Sequence, residues 1–70
     1  MIDEFNARVL LENNIRLRIR AINKQDSDRS IKYQGAIEAL QEVLEYDDFT
    51  IDCITHSIRE QEEKRGNENG

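Results

Sequence analysis

The chain has 70 residues, of which 36% are charged, with ten Lys/Arg against fifteen Asp/Glu, a formal net charge of −5 and a single cysteine, Cys53. A chain this short buries only about 60% of its unfolded surface, so its core is marginal and homodimer formation is the expected supplement. The composition excludes an internal disulfide and a zinc site of Cys/His spacing, and no apolar run approaches the roughly 18 residues of a membrane span. We therefore expect no cofactor, no metal, no membrane association and a cytoplasmic location.

The charge is unevenly spread. Residues 1–35 hold seven Lys/Arg against five Asp/Glu, and residues 36–70 hold three against ten, giving +2 and −7. An acidic total argues against non-specific nucleic-acid binding, although a local basic stripe stays available for it.

Met1 to Lys24 reads as a first helix that places Asp3 and Glu4 in its opening turn, where carboxylates suit the helix dipole. Phe5, Leu11, Ile15, Ile19 and Ile22 fall within about 120° on the wheel, shared with Arg8 and Glu12. A competing pattern makes residues 15–22 a strand, because Ile15, Leu17, Ile19 and Ala21 alternate with Arg16, Arg18 and Arg20. Such a strand needs a partner, which Phe49, Ile51 and Cys53 could supply.

Gln25 to Ser30, QDSDRS, is a polar linker offering Ser27, Asp28 or Ser30 as the next N-cap. Ser30 to Tyr46 is then a second, strongly amphipathic helix. Its apolar side carries Tyr33, Ala36, Ile37, Leu40, Val43 and Leu44, and its polar side Gln34, Glu38, Gln41, Glu42 and Glu45. Gly35, beside Ala36 and Ala39, suggests a close helix approach. Asp47 or Asp48 caps a short third helix with Ile51, Ile54 and Ile58 on one stripe, ending near Lys64. Residues 65–70, RGNENG, have no apolar anchor and read as a disordered polar tail behind one domain, residues 1–64.

The fold class expected is all-α, an antiparallel helical hairpin plus a short third helix, dimerising into a bundle. The alternative is α/β with residues 15–22 as a strand. Core and dimer positions are Ile15, Ile19, Ile22, Tyr33, Ile37, Leu40, Leu44, Ile54 and Ile58, with Leu40 and Leu44 at the centre.

No catalytic constellation is present: nothing matches the P-loop, the dinucleotide fingerprint, the zinc-protease helix or the EF-hand loop, and His56 lacks a nucleophile. Asp52 and His56, at i and i+4, are two metal-capable groups on what is otherwise a solvated polar face. Cys53 beside isoleucines reads as a small hydrophobe. The reading is a non-enzymatic protein. Two surface features remain. Glu38, Glu42 and Glu45, continued by Asp48 and Asp52, form an acidic row able to imitate nucleic-acid phosphates and so dock on a cationic protein partner. Arg16, Arg18 and Arg20 form the basic concentration, a candidate nucleic-acid contact.

With residues 15–22 as a strand, three arginines on one face ahead of two helices would resemble the ribbon-helix-helix DNA-binding fold. The second helix is longer than that fold uses, and Tyr46 to Thr50 lacks its glycine-containing turn. The run Tyr33, Gly35, Ala36, Ala39, Leu40, Val43, Leu44 in a short acidic chain resembles the small accessory proteins of bacteriophages and mobile elements. The layout of hairpin and polar tail is similar to the plasmid copy-control proteins that dimerise into four-helix bundles. The lack of a catalytic constellation, the −7 half and the small size point to a phage-type inhibitor or regulator that acts in a host cytoplasm by docking on a host protein. A nucleic-acid-binding regulator and a self-assembling structural subunit are the other two readings.

Overall fold

Each helix begins where an aspartate can hold an open backbone N–H. In the computed structural model, which describes residues 3–68, Asp3 accepts from the Asn6 amide at 2.8 Å, Asp26 from Arg29 at 3.2 Å and Asp47 from Thr50 at 2.8 Å. The three helices that follow are α1 (Glu4–Asn23), α2 (Ser27–Leu44) and α3 (Asp48–Glu68). Among the described residues there is no strand: the all-α reading holds, and residues 15–22 are helical. Phe49, Ile51 and Cys53, the strand's supposed partner, lie in α3.

The first two helices end alike. Gln25 and Glu45 adopt positive φ, 60° and 57°, and the residue after each donates back across the last turn, Asp26 to the Ala21 carbonyl at 2.8 Å and Tyr46 to that of Gln41 at 3.1 Å. This is the Schellman arrangement, made twice without the glycine that usually takes the left-handed position. The tight closure at Gln25 leaves Asp26 as the cap of α2, so that helix starts at Ser27, three residues before the expected Ser30, and ends at Leu44 instead of Tyr46. The expected caps Ser27, Asp28 and Ser30 are all inside it.

The third helix is the longest of the three, not a short one. It continues through Arg65 to Glu68, four residues beyond the expected Lys64, because REQEEKR is built from strong helix formers that need no apolar stripe to stay helical. Residues 69 and 70 of the expected tail lie outside the described residues.

Both α2 and α3 pack on α1 and barely touch one another. Two contacts orient them. Arg8 in α1 donates to the Tyr46 hydroxyl at 3.2 Å just ahead of α3, and Arg20 near the end of α1 bonds Glu62 near the end of α3 at 2.7 Å. The first and third helices thus run in the same direction.

The core is Leu11, Ile15 and Ile19 from α1, Ile37 from α2, and Ile54 and Ile58 from α3, with Leu40, Leu44, Tyr46 and Ile51 packed partly buried against it. On α1 the buried positions Ala7, Leu11, Ile15 and Ile19 form one i+4 row. A ridge of that kind, fitted between two neighbours, explains two departures from the wheel average. Phe5 and Ile22 fall off the row and are exposed, while the small Ala7 lies on it and is buried; Ala21, off the row, is buried as well. Leu11 and Ile15 stand at the centre, and Leu40 and Leu44 at its margin. A Cβ at Gly35 would meet nothing within 4 Å, so this glycine serves no close helix approach. Among the described residues no helix is long and apolar enough to cross a membrane.

Ile15→Ala is expected to cost about 2–5 kcal/mol in urea unfolding, through the cavity it leaves, and Leu40→Ala distinctly less; equal costs would move the centre back to α2. A second expectation concerns pH. The Thr50 side chain and amide, both bonded to Asp47, hold its carboxyl below the ordinary 3.8. Its cap therefore stabilises fully above that ordinary value and is lost as pH falls through the lower, folded one. The protection of the Thr50 amide, relative to the intrinsic exchange rate at each pH, should fall in that acid window, and Asp47→Asn should flatten the dependence.

Candidate functional site

The acidic row comes from the end of α2 and the start of α3, joined by Glu45, Tyr46 and Asp47. Glu38, Glu42, Glu45, Asp48 and Asp52 are all exposed. Gln41 ties the two helix ends together, donating its amide to the Tyr46 carbonyl at 3.1 Å and to Asp48 Oδ1 at 2.9 Å. Glu38 accepts from Gln34 at 3.3 Å. Among the described residues, none of the five carboxylates forms an ion pair.

An open groove of about 760 Å³ separates α2 from α3, a consequence of both helices spending their contacts on α1. Ile37 and Ile51 line it together with Glu38, Asp48, Asp52 and Arg18. The acidic row thus divides between this groove and a shallower one along Glu42, Glu45 and Asp47. The sequence reading ran this row from the second helix into the third, and the fold has Glu38 and Glu42 on α2, Glu45 in the turn, and Asp48 and Asp52 on α3.

The arginines separate as helical spacing requires. Arg16 and Arg20 both reach Glu62, at 3.9 and 2.7 Å, while Arg18 lines the groove on the α2 side. Glu62 is only 12% exposed as a side chain, so the carboxylate that holds this pair is sheltered while the guanidinium groups reach solvent. The expected basic stripe therefore breaks into a paired set and a lone residue. Arg8, a further cation of α1, is engaged by Tyr46, lying 5.6 Å from the ring centroid, and by Glu12 at 3.6 Å.

Of the other polar residues singled out from sequence, His56 pairs with Glu60 at 3.0 Å on the surface instead of with Asp52, and Cys53 is exposed with a free thiol. Among the described residues no three His, Cys, Asp or Glu side chains come together closely enough to hold a metal ion. The expected core and dimer set divides: Ile15, Ile19, Ile37, Ile54 and Ile58 are buried, Tyr33, Leu40 and Leu44 are half-buried, and Ile22 is exposed in the single chain.

The sequence reading put Phe5 and Val43 on buried helix faces and Phe49 beside a strand; the structure leaves all three outside, together with Ile31. Phe5 is 75% exposed, Phe49 74%, Ile31 71% and Val43 65%. Phe5 and Phe49 each follow an aspartate cap and a second acidic residue, Asp3-Glu4-Phe5 and Asp47-Asp48-Phe49, and that short recurrence was the available signal. Against family models, curated proteins and solved structures, the chain has no match.

Releasing the arginines tests their role. Glu62→Gln should lower stability by under about 1 kcal/mol, since Arg16 and Arg20 are a third or more exposed. It should also be the variant in which salt-sensitive binding of duplex DNA emerges in fluorescence anisotropy, with the parent chain inert at physiological salt. Strong, salt-steep binding by the parent would move the function to this cluster.

Proposed function

We propose that this chain is a non-enzymatic protein-binding module, an inhibitor or regulator of the phage or mobile-element type. It docks on a cationic surface of a cytoplasmic partner protein through Glu38, Glu42, Glu45, Asp48 and Asp52. The observation that carries the reading is the placement of Glu42 and Glu45. They occupy the C-terminal end of α2, where the helix dipole disfavours negative charge, and the last turn contains no basic residue. A carboxylate pair set against the dipole, exposed and without a cation among the described residues, lowers stability. Its use lies in what it presents to solvent.

Carboxylates left unpaired on a rigid helix keep their full charge available to a partner, and complementarity of this kind governs specificity and association rate. In the same reading α1 and α2 form an antiparallel hairpin, and two chains associate as a homodimer through apolar side chains that a single chain leaves exposed. The rival reading, a nucleic-acid-binding regulator, is weakened by the engagement of Arg16 and Arg20 with Glu62.

Affinity capture from lysate of the source or host cells, with nuclease added, is expected to return a protein held by the parent chain and lost from Glu38→Gln/Glu42→Gln/Glu45→Gln. The triple variant should fold normally, and by relieving repulsion it should melt no lower than the parent. A partner retained unchanged by the folded variant would remove the acidic row from the account.

A further inference from the structure

The end of the molecule where α1 and α3 begin and α2 finishes combines two properties. Residues 3–12, 38–45 and 47–52 bring nine carboxylates and a single cation, Arg8, to that end, a balance of −8 in a chain whose total is −5. The same segments hold Phe5, Val9, Val43 and Phe49, all exposed and divided among three helices.

Two of these side chains are matched. Asp3 and Asp47 are equivalent caps: each carboxylate accepts from the backbone N–H of the third residue on, at 2.8 Å, and each carbonyl accepts from that of the fourth, Ala7 at 2.9 Å and Ile51 at 3.1 Å. Phe5 and Phe49 follow as the second helical residue of parallel, packed helices. Their capped turns hold the backbones rigid, and packed helix axes lie about 8–10 Å apart. An exposed phenylalanine is ordinary; two on equivalent turns at one acidic end form a repeated element.

We propose that this end is a two-pronged docking surface, with Phe5 and Phe49 as apolar anchors, for a protein whose apolar pocket is rimmed by lysine and arginine. The inference rests on the docking reading above and specifies its partner. Charge selects the occupant. Nine carboxylates exclude an anionic lipid surface or nucleic acid, and an apolar anchor inside a charged ring places the anchor in a desolvated pocket and the charges on its rim. Size argues against a second copy. The cross-section measures 24 × 22 Å, so two chains meeting end to end bury on the order of 800–1,000 Å² in total, short of the roughly 1,200–2,000 Å² of a stable complex. Side chains on three helices are reached together by a concave partner.

The experiment uses two probes on the full chain: a short helical peptide of lysine and leucine, and its lysine–serine counterpart. Amide shifts of the labelled protein locate the contact, and calorimetry gives its strength. The lysine–leucine peptide is expected to bind on the order of a hundredfold more tightly than the other, with shifts confined to residues 3–12 and 42–52. Phe5→Ala or Phe49→Ala should each lose roughly tenfold, and the pair on the order of a hundredfold, to the lysine–serine level. Thermal melting confirms that each variant folds, and Phe5→Gln with Phe49→Gln replaces any that does not. Unchanged affinity in the double variant, or shifts centred on the groove residues Ile37, Thr55 and Arg59, overturns the proposal. So does a sedimentation mass that shows self-association abolished by Phe5→Ala/Phe49→Ala, which would make the occupant a second copy. Loss of binding in Glu38→Gln/Glu42→Gln/Glu45→Gln with the phenylalanine variants unaffected sinks this inference and leaves the acidic row standing; the reverse result sinks the row and keeps the anchors.

Discussion

The structure depends on one ridge. Leu11, Ile15 and Ile19, with Ala7 ahead of them, lie on an i+4 row of α1, and both other helices close on it. Neither α2 nor α3 has a second surface to pack against, since they barely meet each other. In a chain of this size the core is a seam, and each helix away from α1 keeps most of its circumference in water. The groove between α2 and α3, the exposure of their flanks and the large number of solvated carboxylates all follow from that geometry.

Much of this was legible in the residues, for identifiable reasons. Three helices are encoded by periodic aliphatics and by the aspartates before them, and Asp47 caps α3 as its position suggests. The i, i+3, i+4 spacing of Ile51, Ile54 and Ile58 read directly as a packed stripe, and two of the three are buried. The turns were harder. Gln25 and Glu45 hold left-handed conformations that sequence rules assign to glycine or asparagine, so the polar linker looked twice as long as it is. The alternation of Ile15 to Ala21 with arginines mimicked a strand because short stretches satisfy both periods; what decides for the helix is the burial of Leu11, Ile15 and Ile19 against Ile37, Ile54 and Ile58, distant in the chain and invisible to any local pattern. Phe5 and Ile22 misled for a related reason. A helical wheel averages over the length of α1, whereas the packed ridge selects one row and leaves its neighbours to solvent.

The candidate site was legible as composition but not as shape. Five carboxylates could be named from spacing and assigned to two successive helices, but not the tie between them: the Gln41 bridge to Tyr46 and Asp48 requires the α2 end to close in its left-handed turn. The arginines show the converse. Three alternating cations look like one feature, and α1 turns them into a pair that shares Glu62 and a single residue facing the groove.

The two charge groups also differ in energetic logic. Asp3, Glu4, Asp47 and Asp48 sit at helix N-termini, where charge, dipole and capping all favour the fold. Glu42 and Glu45 sit at the opposite pole of α2 and gain none of these terms, while they add to repulsion from the other carboxylates at the same end. Local rules that a sequence breaks without structural return tend to mark function. Glu62 compensates the basic half of α1 in part and the rest of the chain carries +3, so the negative potential of this molecule is concentrated at one end of its 41 Å length. A field of that form orients an approaching cationic partner before contact, and the apolar side chains at the same end provide what such a partner can keep hold of once salt has screened the long-range attraction.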